Sequence, residues 1–286
     1  MIPELWVLAL CCLAYYLAAG VAITFGYHRL LTHRSFRLPP WLERAVVCLG
    51  LPAGTPIQWV GNHRQHHAQE DREGDPHSPH LDGFWYAHVG WYLGTHNRLV
   101  CFLYSLAGPL RMLFDGWHRP RTNQASAALA QDVARDPFYA FVSRPLPYQA
   151  ACTLHALVPG VLAYAGWGWV GVGAFWLTLV VVYNLGDCID SVAHLWGARP
   201  YPHASQARNN WVLGLLTMGE GWHANHHAFP ASARHGLLPY QPDGTWLAIR
   251  LLRGLGIAKQ VVVPSPEQLE RRLQPERAAT GDGSPA

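Results

Sequence analysis

Histidine is the residue type that could carry chemistry here. It occurs 17 times in 286 residues; eight copies fall in three tight groups and a ninth stands alone. The first group is Gly-Tyr-His28-Arg-Leu-Leu-Thr-His33, the second Gly-Asn-His63-Arg-Gln-His66-His67, and the third Gly-Glu-Gly-Trp-His223-Ala-Asn-His226-His227. A single His194 follows Asp190-Ser-Val-Ala. Positions i, i+3 and i+4 share a helix face, so each HxxHH box can turn three imidazoles onto one stripe. His28 and His33 are five apart, about 140° around an ideal α-helix, and need either a frayed helix end or two different metals. One transition metal takes about four to six ligands, so nine imidazoles point to two ions. Imidazole suits Zn, Cu, Fe and Ni alike. A structural zinc site would want four ligands, usually with cysteine. A carboxylate-bridged bundle site would want paired ExxH, which is absent.

The elements that must hold these side chains are apolar. From Leu5 to Tyr27 no residue is charged, long enough for a bilayer core that needs roughly 20 helical residues. From Tyr148 to Gly186 there is no acid, Lys or Arg; at 1.5 Å per residue this approaches two crossings. Gly166-Trp-Gly-Trp169 in its middle predicts a hairpin tip, with Pro159 bending the first limb. The stretches 45–60 and 99–110 read as interfacial or buried segments. All 21 basic residues lie in 29–144 or 199–277. The positive-inside rule then puts the 28–147 loop and the C-terminal region in the cytoplasm and the N-terminus outside. The expected fold is all-α and membrane-integral: about three transmembrane helices under a cytoplasmic helical cap, spanning 1–263, with a disordered tail over 264–286.

Composition closes other routes. Charged residues are 14% and the net charge is +3, with no basic patch interleaved with aromatics, so nucleic acid is not an expected partner. The six cysteines form no CxxC pair, which excludes a disulfide-stapled secreted module. A zinc transporter or receptor would need ligands at mid-membrane, whereas these boxes sit at span ends.

At these boxes the sequence resembles the integral-membrane fatty acid desaturases, specifically the acyl-CoA (stearoyl-type, delta-9) family. Asp75-Pro-His-Ser, His88-Val-Gly-Trp and His226-His227-Ala-Phe-Pro add to the match. The resemblance implies a di-iron enzyme that uses O2 and two external electrons to desaturate a fatty acyl chain, with delta-9 the default outcome. It places the ligands on His28, His33, His63, His66, His67, His194, His223, His226 and His227. Hydroxylation or oxidative decarboxylation on the same scaffold is the alternative. With no fused cytochrome domain, the electron donor is expected to be a separate ferredoxin, rubredoxin or cytochrome. The expected location is the cell inner membrane.

The chain departs from that pattern in places. Asp190 stands where the family has an Asn holding a metal-bound water, and a carboxylate there is expected to ligate directly or hold that water. Asp187 replaces a large residue beside the substrate and is read as a hydrogen-bond partner of a ligand imidazole. Gly61-Asn62 replaces Arg-Asp, which weakens the case for CoA against an ACP or lipid carrier. The family usually has four spans; the fourth is either lost here or expected before Met1. His77 and His88 are read as contacts behind the metal ligands or to a head group. Arg208 and Asn209, with Asn210, Arg234 and His235, are candidate contacts to an anionic head group.

Overall fold

The computed structural model describes residues 4–201 and 205–273. Among these the chain is helical, with isolated bridges such as Arg37 to Lys259 in place of strands. A first helix, Leu5–Val21, runs without interruption into a π-helix, Ala22–Thr32. Leu10, Leu13 and Leu17 stand exposed on the first helix, as expected of a side that faces lipid. Burial begins abruptly at Ala22, and from Thr24 to Thr32 every residue is buried. This is where the chain leaves the bilayer and enters the cap.

The second membrane element is the helical stretch Pro145–Asp190, which doubles back at Gly168 (φ 60°, ψ −145°). Glycine suits that turn because a Cβ would oppose the left-handed backbone. Each limb is then about 34 Å long, close to one hydrocarbon thickness. The limbs meet closely: a Cβ added to Gly171 would lie 2.2 Å from the Ala163 carbonyl oxygen. Tyr164 and Trp169 face each other across the tip, rings 5.2 Å apart. The backbone remains helical through Pro159, so the expected bend there is not a break. The first helix joins the hairpin through Tyr15 and Phe175, whose rings meet edge to face at 5.4 Å. The molecule thus has two helical stretches apolar enough to span, one of them folded, giving three apolar limbs.

The segment expected to be interfacial at 99–110 belongs to a bent pair. Helix Arg98–Ser105 meets the helix starting at Pro109 at 117°. Eight residues reach only about 12 Å, too short to cross. Exposed Leu99, Phe102, Leu103 and Leu110 make this wedge apolar outside. Its second helix, Pro109–His118, packs along the hairpin, with Met112 in one core with Tyr148, Cys152 and Leu179. The 45–60 stretch divides between helix Pro40–Gly50 and the start of helix Pro56–Gln69.

The cap is assembled from short helices. Pro56–Gln69, which bears the second box, starts at Thr55, whose hydroxyl accepts from Gln58 N at 3.1 Å, with Pro56 at the first helical position. His223–Ala228 bears the third box. Gly244–Gly254 starts at Asp243, which accepts from Trp246 N at 2.8 Å. The expected tail opens with a helix, Pro266–Leu273, whereas 274–286 lie outside the described residues.

If the hairpin depends on close contact at its tip, Gly171→Val must force the limbs apart. We expect it to cost about 1–3 kcal/mol, seen as a lower melting temperature in detergent. Gly173→Val, two residues on with nothing within 4 Å of its Cβ position, is the control and should melt near wild type.

Candidate metal centre

The nine box histidines gather in one place and divide into two sets. His28, His33, His63, His67 and His226 form one group, and His66, His194, His223 and His227 the other. Within the first, Nε2 atoms are 3.0 Å apart for His28–His226 and His33–His63, 3.1 Å for His63–His67 and 2.8 Å for His67–His226. Within the second, His194–His223 and His223–His227 are at 3.1 Å and His66–His227 at 3.4 Å. Ligands about 2.1 Å from a metal are separated by about 3.0–3.4 Å along the edges of octahedral or tetrahedral shells.

The division follows helix geometry. In the second box His63 and His67, one turn apart, serve the five-histidine group, while His66 lies about 100° from His67 and serves the other. The third box does the converse: His223 and His227 serve the four-histidine group and His226 crosses over. Each box therefore gives an i, i+4 pair to one group and a single imidazole to its neighbour, so one stripe per box was too simple a picture.

His28 and His33 join the same group, and the reason is the π-helix. The amide of His33 donates to the His28 carbonyl at 3.1 Å, an i→i+5 bond that returns residues five apart to one side. The reading in which they bind different metals is thereby corrected. A π turn of this kind is not visible in an α-helical wheel.

Four carboxylates back the ligands. His28 Nδ1 donates to Glu220; His66 Nδ1 lies 3.0 Å from both Asp75 oxygens, His194 Nδ1 3.0 Å from Asp71, and His227 Nδ1 3.0 Å from Glu70. Such bonds fix the tautomer so that Nε2 keeps its lone pair for a metal. Burial, reinforced by neighbouring imidazoles, holds His33, His63, His67, His223, His226 and His227 well below the usual histidine range. The same burial brings His66 down to about 4, against the opposing pull of Asp75. Burial pushes Glu220 upward, but His28 and Arg29 more than offset it, so it remains a carboxylate. At His194 the hydrogen bond to Asp71 outweighs burial and raises the imidazole instead. Imidazoles inside and carboxylates outside are a donor set suited to two cations, and this fits the implied metal pair.

Glu220 is also clamped by Arg29, which is buried and reaches Glu220 at 3.0 Å and Asp243 at 2.9 Å. The carboxylates Glu70, Asp71, Asp75 and Glu220 received no role from sequence reasoning. Their signal was position: in a chain poor in charge, four acids lie three to eight residues from a box. His235, read as a head-group contact, is instead fully buried, 4.6 Å from the His226 ring, with Nδ1 3.5 Å from Glu220.

Other expected residues fall as follows. His77 stacks on His66 at 4.3 Å, directly behind a ligand. His88 stands away from both groups, bonded to Ser191 at 2.9 Å and Asn184 at 3.1 Å. Asn209 donates to Asn225 at 2.8 Å and so braces the third-box helix. Arg208 ties its loop through Gly197 O at 3.3 Å. Asp190 joins neither ligand group; the helix ends at Ser191 (φ −108°, ψ −67°), and Asp190 faces a cavity instead. Asp187 does not reach an imidazole. It is taken by Arg111 through two bonds of 2.5 and 2.9 Å, a buried pair beside which Arg119 binds Asp115 at 3.0 Å.

That cavity adjoins the five-histidine group. His28, His63 and Trp59 form its inner end, and Tyr16, Ile23, Val182 and Ile189 its walls. Trp59 stacks on His63 at 5.0 Å and 16°, so one ring both lines the cavity and steadies a ligand.

Pairs of substitutions test the division. His63→Ala with His67→Ala removes two ligands from one group, and we expect about one tightly bound metal ion per purified chain. His66→Ala with His67→Ala, adjacent in sequence, strips a ligand from each group and should weaken both ions. Equal metal content in the two variants would contradict the division.

The family model for fatty acid desaturases matches residues 3–243 of this chain. An sn-1 stearoyl-lipid 9-desaturase of Anabaena variabilis is 37% identical over 90% of this chain and 84% of its own length. An sn-2 palmitoyl-lipid 9-desaturase of Nostoc sp. (strain 36) is 38% identical over 88% and 80%. A probable chloroplastic lipid desaturase of Arabidopsis thaliana is 38% identical over 88% of this chain, which spans 62% of that protein's length.

Proposed function

The chain belongs to the fatty acid desaturase family, and from that we propose that it places a cis double bond at position 9 of a saturated fatty acyl chain, using two iron ions held by the nine histidines. The observation that carries the reading is the pair of imidazole groups beside an apolar cavity. An unactivated methylene has no proton that an acid–base side chain can remove, so the reaction needs a metal. The iron pair, when bound, supplies reduction of O2. One O2, two electrons and two protons from outside, and two hydrogens from adjacent carbons, leave as two waters and an alkene.

The chain's own residues do the rest. Burial of each methylene against Ile23, Val182 and Ile189 contributes about 0.8 kcal/mol, enough over several carbons to hold the chain without polar contacts. Trp59 and His28 close the inner end, keeping bulk water from the reacting carbons. Asp71, Asp75 and Glu220 fix the imidazoles in advance, so the site is organised before the substrate arrives. Asp190 lines the cavity four residues before His194, and we assign it the holding of a water for the four-histidine group, which has one imidazole fewer than its neighbour. Electrons come from a separate carrier of the ferredoxin, rubredoxin or cytochrome type. The protein sits in the cell inner membrane with the cap and C-terminus cytoplasmic and the N-terminus outside, following the basic residues.

Expression in a bacterium lacking aerobic desaturation tests this, with mass spectrometry locating any new double bond. We expect 9-monoenes with the wild-type chain and none with His226→Ala, which should still insert in the membrane. A hydroxylated or terminal-alkene product would replace the reaction assigned here, and activity in His226→Ala would remove the site.

A further inference from the structure

Two helical stripes face each other across the cavity. Tyr16, Gly20 and Ile23 lie one turn apart on the first helix and its π continuation, and Val182, Gly186 and Ile189 do so on the last limb of the hairpin. Of the residues that line the cavity, among those described, only Gly186 and Leu216 are exposed on the molecular surface. Gly186 lies on a membrane limb, and Leu216 sits against the first helix, its carbonyl accepting from the Tyr16 hydroxyl. Gly186 is on the returning limb, one turn before its end at Asp190 and so about 6 Å below the cap. Leu216 ends helix Trp211–Leu216, whose Trp211, Val212 and Leu215 are likewise exposed and apolar. The cap side is closed by contrast: Trp59 and Tyr92 are half-buried and Glu220 and Arg119 buried, the last bonded to Ala53 O at 2.7 Å.

We propose that the acyl chain enters sideways from the bilayer, through a window between the first helix and the returning limb at Gly186 and Leu216, and therefore while still attached to a membrane lipid. Glycine at position 186 is what makes the gap: nothing lies within 4 Å of where its Cβ would be. Among the described residues, the exposed rim at Gly186 and Leu216 offers no cation for a phosphate-rich soluble carrier. The two arginines that line the cavity, Arg111 and Arg119, are committed to Asp187 and Asp115. The depth also suits a lipid. A chain esterified to glycerol begins just below the membrane surface, where this window lies. The inference rests on the cavity being the acyl site.

The test uses the full-length protein in phosphatidylcholine vesicles containing a phosphatidylcholine whose acyl chain bears a diazirine. After irradiation, labelled residues are mapped by mass spectrometry. We expect label on Val182, Ile189 and Ile23. Gly186→Phe, which fills the gap, should reduce it at least tenfold, while Gly186→Ala should label like wild type. Metal content and melting temperature of Gly186→Phe should match wild type, showing that the fold and the metal centre survive. Undiminished cavity labelling in Gly186→Phe overturns the window. Cavity labelling by a diazirine stearoyl-CoA added from the aqueous side, with none from the lipid probe, overturns the lipid-linked substrate but leaves the acyl cavity standing. A cavity labelled by neither probe overturns both this inference and the acyl reading of the cavity.

Discussion

Nine imidazole nitrogens point at one another inside the cap, and that is the constraint on which this structure depends. Burial and mutual repulsion hold His33, His63, His67, His223, His226 and His227 well below the usual histidine range, whereas at His194 Asp71 outweighs burial and raises it. Neutral rings with convergent Nε2 atoms cannot all satisfy one another, because a hydrogen bond needs one donor for each acceptor. Cations would resolve the arrangement, since every lone pair would then have a partner. The carboxylates of Glu70, Asp71, Asp75 and Glu220 serve the same end from behind, orienting rings and bringing negative charge near the place where positive charge belongs.

Holding so many polar groups in register requires a stiff frame. Arg29 supplies one strut, joining the first-box segment to Glu220 before the third box and to Asp243 at the start of the Gly244–Gly254 helix. Removing one partner from a buried ion pair strands the other charge, so these contacts bind distant segments together even where the pair itself adds little net stability. Arg111 and Asp187 do the same between the membrane wedge and the hairpin. The frame is continuous from the membrane limbs into the cap because the first helix becomes the π-helix without a loop.

The membrane contributes the other half. The limbs expose leucine and valine outward and carry their acids, Asp187 and Asp190, at the cap end, where cavity and imidazoles meet. Oxidative chemistry on an unactivated chain needs a dry site next to a metal pair. Under the proposed function, an apolar cavity lined by His28, His63 and Trp59 would meet that need with few dedicated parts.

Much of this was legible in the sequence. Uncharged runs announced the spans because lipid excludes unpaired charge, and Gly166-Trp-Gly-Trp169 marked the hairpin because only glycine turns that tightly at no cost. The boxes marked nine candidate ligands because residue type and spacing set what can coordinate, and the nine do converge. What the sequence could not assign was partnership. Whether His66 sides with His67 or with His194 depends on how two helices dock, and the union of His28 with His33 depends on an i→i+5 bond that no local pattern announces. Asp187 and Asp190 were read toward the metals because acids at membrane depth usually serve chemistry. Which cation such an acid meets is decided by the helix packed opposite: Arg111 claimed Asp187, and Asp190 was left to the cavity. The sequence by itself determined the candidate ligands and the apolar spans, which follow from residue types and local spacing. Only the tertiary structure decided the pairing of ligands, the carboxylates behind them and the exposed gap at Gly186, because each is a contact between segments far apart in the chain.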